Sequence, residues 1–287
     1  MVTVAGFDVQ RIDAPFGAAV SGCRFDTADP AVAATVNSLL MQHHILVFPD
    51  LSGRLGHAEL NDFFGQLGTL SEATSEVIEH WKRLAQAARV DVDGEALHLV
   101  SNQERDGRPA GLLGDAELDW HNDHAPLARV KKIAGLQGVE VDPGAPPTMF
   151  CDMYAALDTL PATLRHELAD RLAVHRDFAL AAHRDEQGHQ SVPPVMHPVL
   201  KRHPDSGRTA LFVNLSTTDH IVGLSEDRNR QVLDDIFGHA YQSRFTYSHE
   251  WQPDVFIVWD NIGLQHRRDS PQRNVRRTLF RFPGVAE

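Results

Sequence analysis

Three side chains in this sequence have the types and the spacing of a metal-binding face. His121 and Asp123 flank Asn122, and His266 follows 143 residues after Asp123. Because residues i and i+2 of a β-strand point to the same side, His121 and Asp123 can reach one ion while Asn122 points away. Two imidazoles and one carboxylate on one face of Fe(II) leave three coordination positions open for a co-substrate and O₂. The third ligand, His266, must then lie on a distant strand that folds back alongside.

A second group of residues can hold a co-substrate such as 2-oxoglutarate beside the metal. That molecule chelates a metal through its keto acid end, and its distal carboxylate requires a fixed cation, preferably a guanidinium, with a hydroxyl group nearby. Arg277 and Arg281 are spaced i, i+4 and therefore face one side of an extended strand. Thr148 opens a short apolar segment after Asp123 and offers the hydroxyl group.

The composition of the 287-residue chain is that of a globular protein. Its formal net charge of −12 disfavours binding to a nucleic-acid backbone. No apolar run reaches the roughly 20 residues that span a bilayer, and residues 1–8 lack the basic and apolar regions of a signal peptide. Cys23 and Cys151 cannot form a disulfide framework and are expected to be isolated buried thiols. These features predict a cytoplasmic protein with neither a nucleic acid nor a membrane as its partner.

The chain contains no internal repeat or low-complexity linker, which favours one domain over residues 1–287. Apolar residues have helical spacing at 31–42, 57–67, 75–90, 161–171 and 227–237. Short segments bounded by Gly, Pro and Asp predict strands at 44–48, 95–101, 133–141, 148–153, 209–214 and 254–259, an early strand and turn within 9–20, and a turn at 106–109. Many short strands with such turns predict a mainly β protein with added helices on a double-stranded β-helix, or jelly-roll, core.

The order of these motifs resembles that of the TauD/TfdA family of Fe(II)- and 2-oxoglutarate-dependent dioxygenases. The similar segments are VSN at 100–102, GRP at 107–109, LDWHND at 118–123, HPV at 197–199, LFVN at 211–214, WDN at 259–261 and RRTLFR at 276–281. The resemblance implies that iron is bound by His121, Asp123 and His266. It also implies that Thr148 and Arg277 clamp the distal carboxylate of 2-oxoglutarate.

The resemblance further implies the type of reaction. With O₂, 2-oxoglutarate would yield succinate and CO₂ while a C–H bond of a small organic substrate is hydroxylated or, as a variant, desaturated. Arg281 matches an arginine that in relatives contacts either an anionic group of the substrate or the C1 carboxylate of 2-oxoglutarate, and it favours an anionic substrate. Asp123 argues against halogenation, because halogenases of the family replace this carboxylate. Relatives also lead us to expect assembly into a homodimer or tetramer.

Two residue assignments are left open, and one segment is expected to form a lid. The family often has a flexible glycine pair before the co-substrate threonine, whereas Pro146 and Pro147 stiffen that turn here and can shift the Thr148 hydroxyl. Asn102 either hydrogen-bonds substrate at the mouth of the cleft or stabilises a turn. Residues 71–95 occupy a region that often covers the active site in the family, and we expect a helical lid there.

Two residues near the ligands are given structural roles. His124 is excluded as a ligand because in strand geometry it points away from Asp123. The segment 259–261 is expected to shape the turn before His266, and Asp260 or Asn261 is expected to support the metal site from behind.

Two other functions are consistent with a His/Asp/His face. A jelly-roll protein can bind the metal and 2-oxoglutarate without turnover, and no substrate would then give succinate. A zinc hydrolase can use the same ligands, but the sequence contains no HExxH motif and no glutamate placed as a general base. A requirement for O₂ distinguishes the dioxygenase from the zinc hydrolase, because a hydrolase works without O₂.

Overall fold

The computed structural model describes residues 2–4, 6–22, 29–49, 55–70, 81–85, 90, 98–114, 117–177, 193–270 and 274–287. The helices are α1 (Pro30–His43), α2 (His57–Leu67), α3 (Met153–Asp158), α4 (Ala162–Leu168), α5 (Glu226–Ala240) and a 3-10 helix (Ser243–Phe245). The strands are β1 (Val2–Val4), β2 (Phe7–Arg11), β3 (Ala18–Ser21), β4 (Ile45–Phe48), β5 (Leu99–Ser101), β6 (Glu104–Arg105), β7 (Arg108–Pro109), β8 (Leu118–His121), β9 (Lys131–Val141), β10 (Thr148–Asp152), β11 (Leu172–His175), β12 (Val195–Pro198), β13 (Leu200–Arg202), β14 (Thr209–Leu211), β15 (Thr218–Ile221), β16 (Thr246–His249), β17 (Phe256–Asp260), β18 (Leu264–Arg268), β19 (Arg277–Arg281) and β20 (Val285–Ala286).

Most of these strands belong to two sheets that face each other. The larger sheet has the strand order β1-β2-β3-β4-β17-β9-β19-β5, with β20 beside β9, and the smaller sheet has the order β16-β10-β18-β8. Strands β12-β11-β15 form a third sheet, and β13-β14 and β6-β7 are separate pairs. Apolar side chains fill the space between the two main sheets, among them Leu136 and Ile257 from the larger and Phe150 and Leu264 from the smaller. The predicted mainly β, jelly-roll fold is confirmed.

Helices α1 and α2 cover the outer face of the larger sheet. Helix α1 begins at Pro30 because the Asp29 side chain accepts a hydrogen bond from the backbone N–H of Ala31 at 2.9 Å. It ends at His43, and the next residue, His44, caps it with a φ of 66° and donates its N–H to the carbonyl of Leu40. The apolar faces of both helices pack on strands through Val36, Leu40, Leu60, Phe64, Phe48, Phe256 and Val258. The central strands are thereby buried on both sides.

Most predicted elements are confirmed, with ends that differ by a few residues. The helices at 31–42, 57–67 and 227–237 are α1, α2 and α5, and the turn at 106–109 joins β6 to β7. The strand predicted at 148–153 ends one residue earlier, at Asp152. The Asp152 side chain accepts hydrogen bonds from the N–H groups of Tyr154 and Ala155 and so starts helix α3 at Met153. The helix predicted at 161–171 is shorter and corresponds to α4.

Parts of two predictions fall outside the described residues. The helix predicted at 75–90 is seen at residues 81–85, and residue 90 is not helical. The rest of that helix, 75–80 and 86–89, is not among the described residues, and neither is most of the lid predicted at 71–95. The strand predicted at 95–101 is seen as β5, and 95–97 are likewise not described. Cys151 is a free, buried thiol whose pKa is raised by burial, and Cys23 is not described. Among the described residues, no helix is both long and apolar enough to cross a bilayer.

Gly263, in the connection from β17 to β18, has no room for a side chain. A Cβ atom there would lie 1.9 Å from Cε2 of Tyr154 and 2.8 Å from a carboxylate oxygen of Asp260. Gly263→Ala is expected to lower the free energy of unfolding by about 1–3 kcal/mol, as overpacking of buried sites does. Gly65→Ala is the control, because a Cβ there meets nothing within 4 Å on the exposed side of α2. It should raise stability by about 0.5–1 kcal/mol. Urea unfolding measures both changes, and equal stability of Gly263→Ala and wild type would contradict this packing.

Candidate metal centre and its two cavities

Two of the predicted metal ligands lie on neighbouring strands of the smaller sheet. His121 is the last residue of β8, and His266, in β18, is its direct partner in the antiparallel ladder. Residues that oppose each other in such a ladder have their side chains on the same face. The two imidazole ring centres are accordingly 4.1 Å apart. Strand pairing alone therefore brings together two histidines that are distant in the sequence.

Asp123 reaches the histidines from a turn and not from a strand. Strand β8 ends at His121, and Asp123 begins the turn that follows, so the extended geometry predicted for this pair is wrong. The side chain of Asn261 fixes the turn: it accepts a hydrogen bond from the N–H of Asp123 at 3.0 Å and donates one to the Asp123 carbonyl at 3.0 Å. Asn122 does point away, as predicted, since its amide donates to the carbonyl of Asn261 at 2.8 Å.

The three donor atoms converge on a common point. Oδ1 of Asp123 lies 3.8 Å from Nε2 of His121 and 3.7 Å from Nε2 of His266. Nδ1 of His121 lies 2.7 Å from the carbonyl oxygen of Asp119, a contact that requires the proton on Nδ1 and leaves the Nε2 lone pair for a metal. Among the described residues, these three form the cluster whose ligand atoms all lie within 4.8 Å of one another. After a small inward shift they can share one ion.

The charges of these residues suit a metal ion. Burial alone would raise the pKa of Asp123, but the charge of Lys131 and the neighbouring His266 and His121 hold it well below its usual range, so the carboxylate is ionised. Burial, and then the adjacent His121, lower the pKa of His266 to about 3, so this imidazole is neutral at pH 7. An ionised carboxylate and a neutral imidazole are the forms that bind metals.

His124 lies beside the cluster without joining it. The strand geometry used to exclude it does not apply, because His124 sits in the turn with a φ of 61°. Its ring centre lies 6.0 Å from that of Trp81, and the ligand cluster does not include it. The exclusion of His124 thus agrees with the structure for a different reason.

The predicted clamp for a carboxylate is assembled next to the metal ligands. Nη2 of Arg277 donates to Oγ1 of Thr148 at 3.0 Å, and Nε1 of Trp251 donates to the same oxygen at 2.9 Å. The carbonyl oxygen of Pro146 accepts from Nε of Arg277 at 3.1 Å, so the proline turn that placed Thr148 in doubt instead orients the guanidinium. Burial, and then the charge of Arg268, lower the pKa of Arg277 to about 9, which leaves it cationic at pH 7.

Two adjoining cavities meet at the metal ligands. We call them the inner cavity, of about 60 Å³, and the outer cavity, of about 210 Å³. The inner cavity alone is lined by residues that include Thr148, His266, Arg267, Arg268, Arg277 and Arg281. The outer cavity alone is lined by Leu84, Asn122, His124, Pro126, Asp177, Ser216 and Thr217. Both are lined by Trp81, Leu113, Leu118, His121 and Asp123. A metal held by the three ligands would therefore face both spaces.

The structure bears on the two residues whose roles the sequence left open. Arg281 lines the inner cavity and stacks its guanidinium carbon 3.7 Å from the ring centre of Trp81, which favours a contact with co-substrate. Asn102 donates to the carbonyl of Val275 at 2.7 Å and accepts from the N–H of Arg277 at 2.9 Å. Its amide thus joins β5 to the start of β19, which favours the structural alternative over a contact with substrate.

Sequence reasoning missed several residues that complete the site. Trp251 and Pro146 hold the clamp, Arg268 enlarges the cationic lining, and Lys131 is buried with Nζ 3.5 Å from Oδ2 of Asp123. A lysine at the start of a largely buried strand was the one available signal, since a lysine rarely becomes fully buried without a partner. The support from Asn261 was among the expectations and is seen in its hydrogen bonds to Asp123.

Comparisons with known proteins agree with this geometry. The family model described as "Taurine catabolism dioxygenase TauD, TfdA family" matches residues 8–282. The chain is 28% identical to pentalenolactone F synthase from Streptomyces avermitilis, over 98% of this chain and 96% of that one. It is 32% identical to alpha-ketoglutarate-dependent 2,4-dichlorophenoxyacetate dioxygenase from Cupriavidus pinatubonensis, over 70% of this chain and 69% of that one. Alpha-ketoglutarate is another name for 2-oxoglutarate.

Solved structures share the fold over almost the whole chain. A crystal structure of AAD-2 in complex with Mn(II) and N-oxalylglycine superposes with a TM-score of 0.76 at 24% identity, covering 98% of this chain and 97% of the other. A putative alpha-ketoglutarate-dependent taurine dioxygenase from Burkholderia xenovorans superposes with a TM-score of 0.74 at 22% identity, covering 98% and 92%. Together with the family match, these comparisons show that the chain belongs to the TauD/TfdA family of 2-oxoglutarate-dependent dioxygenases.

Proposed function

We propose that this protein is an Fe(II)- and 2-oxoglutarate-dependent dioxygenase that oxidises a C–H bond of a small organic molecule. One observation carries the proposal: the His121, Asp123 and His266 face lies where a small cavity lined by four arginines meets a larger one whose described lining has no lysine or arginine. The first cavity suits a dicarboxylate co-substrate, and the second suits the molecule to be oxidised. We further propose that residues 1–287 form one domain for this purpose.

In this proposal, His121, Asp123 and His266 hold the iron. A face of two imidazoles and one carboxylate suits Fe(II) and leaves positions for exchangeable ligands. Bound there, Fe(II) with 2-oxoglutarate and O₂ supplies oxidative decarboxylation to succinate and CO₂, together with hydroxylation, or desaturation, of the substrate. The protein supplies positioning: Asn261 sets the carboxylate, and strand pairing sets the imidazoles.

Arg277 and Thr148 bind the distal carboxylate of 2-oxoglutarate. Both are buried, and both are held in place before any ligand arrives by Pro146 and Trp251. A preorganised guanidinium with a neighbouring hydroxyl group gives a carboxylate strong, charge-assisted hydrogen bonds. Arg281, which lines the same cavity, places a further positive charge near the co-substrate.

The substrate occupies the outer cavity, under Trp81 and Leu84 of the helical stretch 81–85. This stretch is the described part of the proposed lid at 71–95. The described lining of the outer cavity contains the carboxylates of Asp123 and Asp177 but no lysine or arginine. To contact Arg281 in the inner cavity, an anionic substrate would therefore have to extend past the residues that line both cavities. The screen for substrates must accordingly pair small acids with their neutral esters.

Removal of the Arg277 guanidinium tests the co-substrate site. Arg277→Ala is expected to weaken binding of 2-oxoglutarate to the Mn(II)-loaded protein by about 10- to 100-fold, because a hydrogen bond to a charged group is worth about 1.5–3 kcal/mol. The affinity for Mn(II) alone should stay within about twofold of that of wild type, since Arg277 is not one of the three metal-binding residues. Anaerobic titration calorimetry measures both affinities.

Arg276→Ala is the matched control for that experiment. Its side chain is 52% exposed and pairs with Glu140 and Asp142 on the surface, so 2-oxoglutarate should bind this variant as it binds wild type. Unchanged 2-oxoglutarate affinity in Arg277→Ala would contradict the assignment of the clamp.

Turnover tests the reaction class. With Fe(II), 2-oxoglutarate and O₂, a panel of amino acids, sulfonates and aryloxy acids, each with its neutral ester, is expected to contain compounds that raise succinate formation well above the rate without substrate. Exclusion of O₂ should abolish the reaction. Ligand binding without succinate for any compound would instead identify a non-catalytic metal and 2-oxoglutarate-binding protein, and oxygen-independent product would identify a hydrolase. The cytoplasmic location and the oligomeric state remain predictions from the sequence.

A further inference from the structure

Lys131 is a charged residue in the interior whose position the proposed chemistry has not yet used. It is the first residue of β9, and its side chain is 0% exposed. Burying an ammonium group is unfavourable by several kcal/mol unless an opposite charge lies close by. Nζ lies 3.5 Å from Oδ2 of Asp123. The carboxylate that faces the metal site is therefore also a counter-ion for this lysine.

The two oxygens of Asp123 face different partners. Oδ1 is the atom that lies 3.7–3.8 Å from the Nε2 atoms of His266 and His121. Oδ2 is the atom that faces Lys131. The carboxylate thus presents one oxygen to the metal site and one to the lysine.

The surrounding chain holds both members of this ion pair in place. The Asn261 side-chain amide donates to the carbonyl oxygen of Asp123 at 3.0 Å and to that of Lys131 at 2.7 Å, so one group fixes the backbone of both residues. The lysine stem lies in space that only a glycine leaves open: a Cβ atom on Gly284 would lie 2.6 Å from Cδ and 2.9 Å from Cε of Lys131. Gly284 also has a φ of +69°, which glycine adopts readily.

We propose that Lys131 is a positioning residue that keeps one oxygen of Asp123 away from the metal and so preserves a coordination position for 2-oxoglutarate. This inference rests on the proposed function. A carboxylate released from the lysine can turn both oxygens toward a bound ion and compete with the keto acid for the open positions. Because Asp123 lines both cavities, the ammonium group beside it also adds positive potential close to the place where the co-substrate dianion would bind.

The proposal predicts opposite effects on the two ligands. A positive charge close to Asp123 opposes binding of a divalent cation, and it favours binding of an anion. Loss of that charge should therefore leave metal binding as tight as before or tighter, while co-substrate binding weakens. A residue that merely supports the fold would weaken both together, in step with a loss of stability.

The experiment uses full-length protein with Lys131→Met, which replaces the ammonium group by an apolar chain of similar length. Lys131→Gln is a second variant that keeps a polar end without the charge. Lys132→Met is the matched control: Lys132 is the next residue of β9, and its Nζ pairs with Asp205 at 2.6 Å, away from Asp123. Anaerobic calorimetry measures the Mn(II) dissociation constant, and then that of 2-oxoglutarate with Mn(II)-loaded protein. Urea unfolding of each variant reports its stability.

The expected result is a Mn(II) dissociation constant that is unchanged or up to about tenfold lower in both Lys131 variants, with 2-oxoglutarate bound at least about tenfold more weakly. Lys132→Met should match wild type in both measurements. The inference is overturned if 2-oxoglutarate affinity in the Lys131 variants is within twofold of wild type, or if both affinities fall together with stability. Wild-type protein that binds neither ligand would overturn the proposed function itself, which is a distinct outcome.

Discussion

The buried side chain of Asn261 is the constraint on which the metal site depends. Strand pairing places His121 and His266 side by side, but Asp123 lies beyond the end of β8 and has no ladder to hold it. The Asn261 amide replaces that ladder with hydrogen bonds to both backbone groups of Asp123 and to the carbonyl of Lys131. Because Asn261 itself sits between β17 and β18, the turn that carries the carboxylate is tied to the connection that leads to His266. One amide therefore sets the distance between the carboxylate and an imidazole.

Charge is divided sharply between the two sides of the site. The metal face has one carboxylate and two imidazoles, whereas four arginines line the inner cavity beside it. Burial and the charge of Arg268 lower the pKa of Arg277, which is the sign of like charges held together in a poorly hydrated space. A dicarboxylate relieves that repulsion, so the inner cavity favours an anion on electrostatic grounds alone. The outer cavity has no such concentration of positive charge in its described lining.

Much of this site follows from spacing and strand geometry. The i, i+4 relation of Arg277 and Arg281 places both side chains on the interior side of β19, and both are buried. Thr148 lies two residues before Phe150, the ladder partner of His266, and so faces the same interior. These relations are periodic, and a periodic relation can be derived from residue numbers.

What could not be predicted depends on single side chains that end or redirect an element. Asp152 starts α3 by accepting two N–H groups, which turns Met153 from a strand residue into the first residue of a helix. Asp123 lies in a turn because Asn261 binds its backbone, and no pattern within residues 118–124 reveals a partner so far along the chain. The carbonyl of Pro146 orients Arg277, a contact that depends on tertiary packing and not on the stiffness of the proline pair.

Anomalous diffraction at the iron edge, from crystals grown without oxygen in the presence of Fe(II) and 2-oxoglutarate, tests the metal face most directly. We predict one strong peak that lies within bonding distance of Nε2 of His121, Nε2 of His266 and a carboxylate oxygen of Asp123. Each of these distances should be about 2.0–2.2 Å, the range of metal–ligand bonds. No fourth protein side chain should bind the ion, and density for the co-substrate should run from it to Arg277. A peak at another place in the chain, or a fourth protein ligand that closes the coordination sphere, would contradict the assignment.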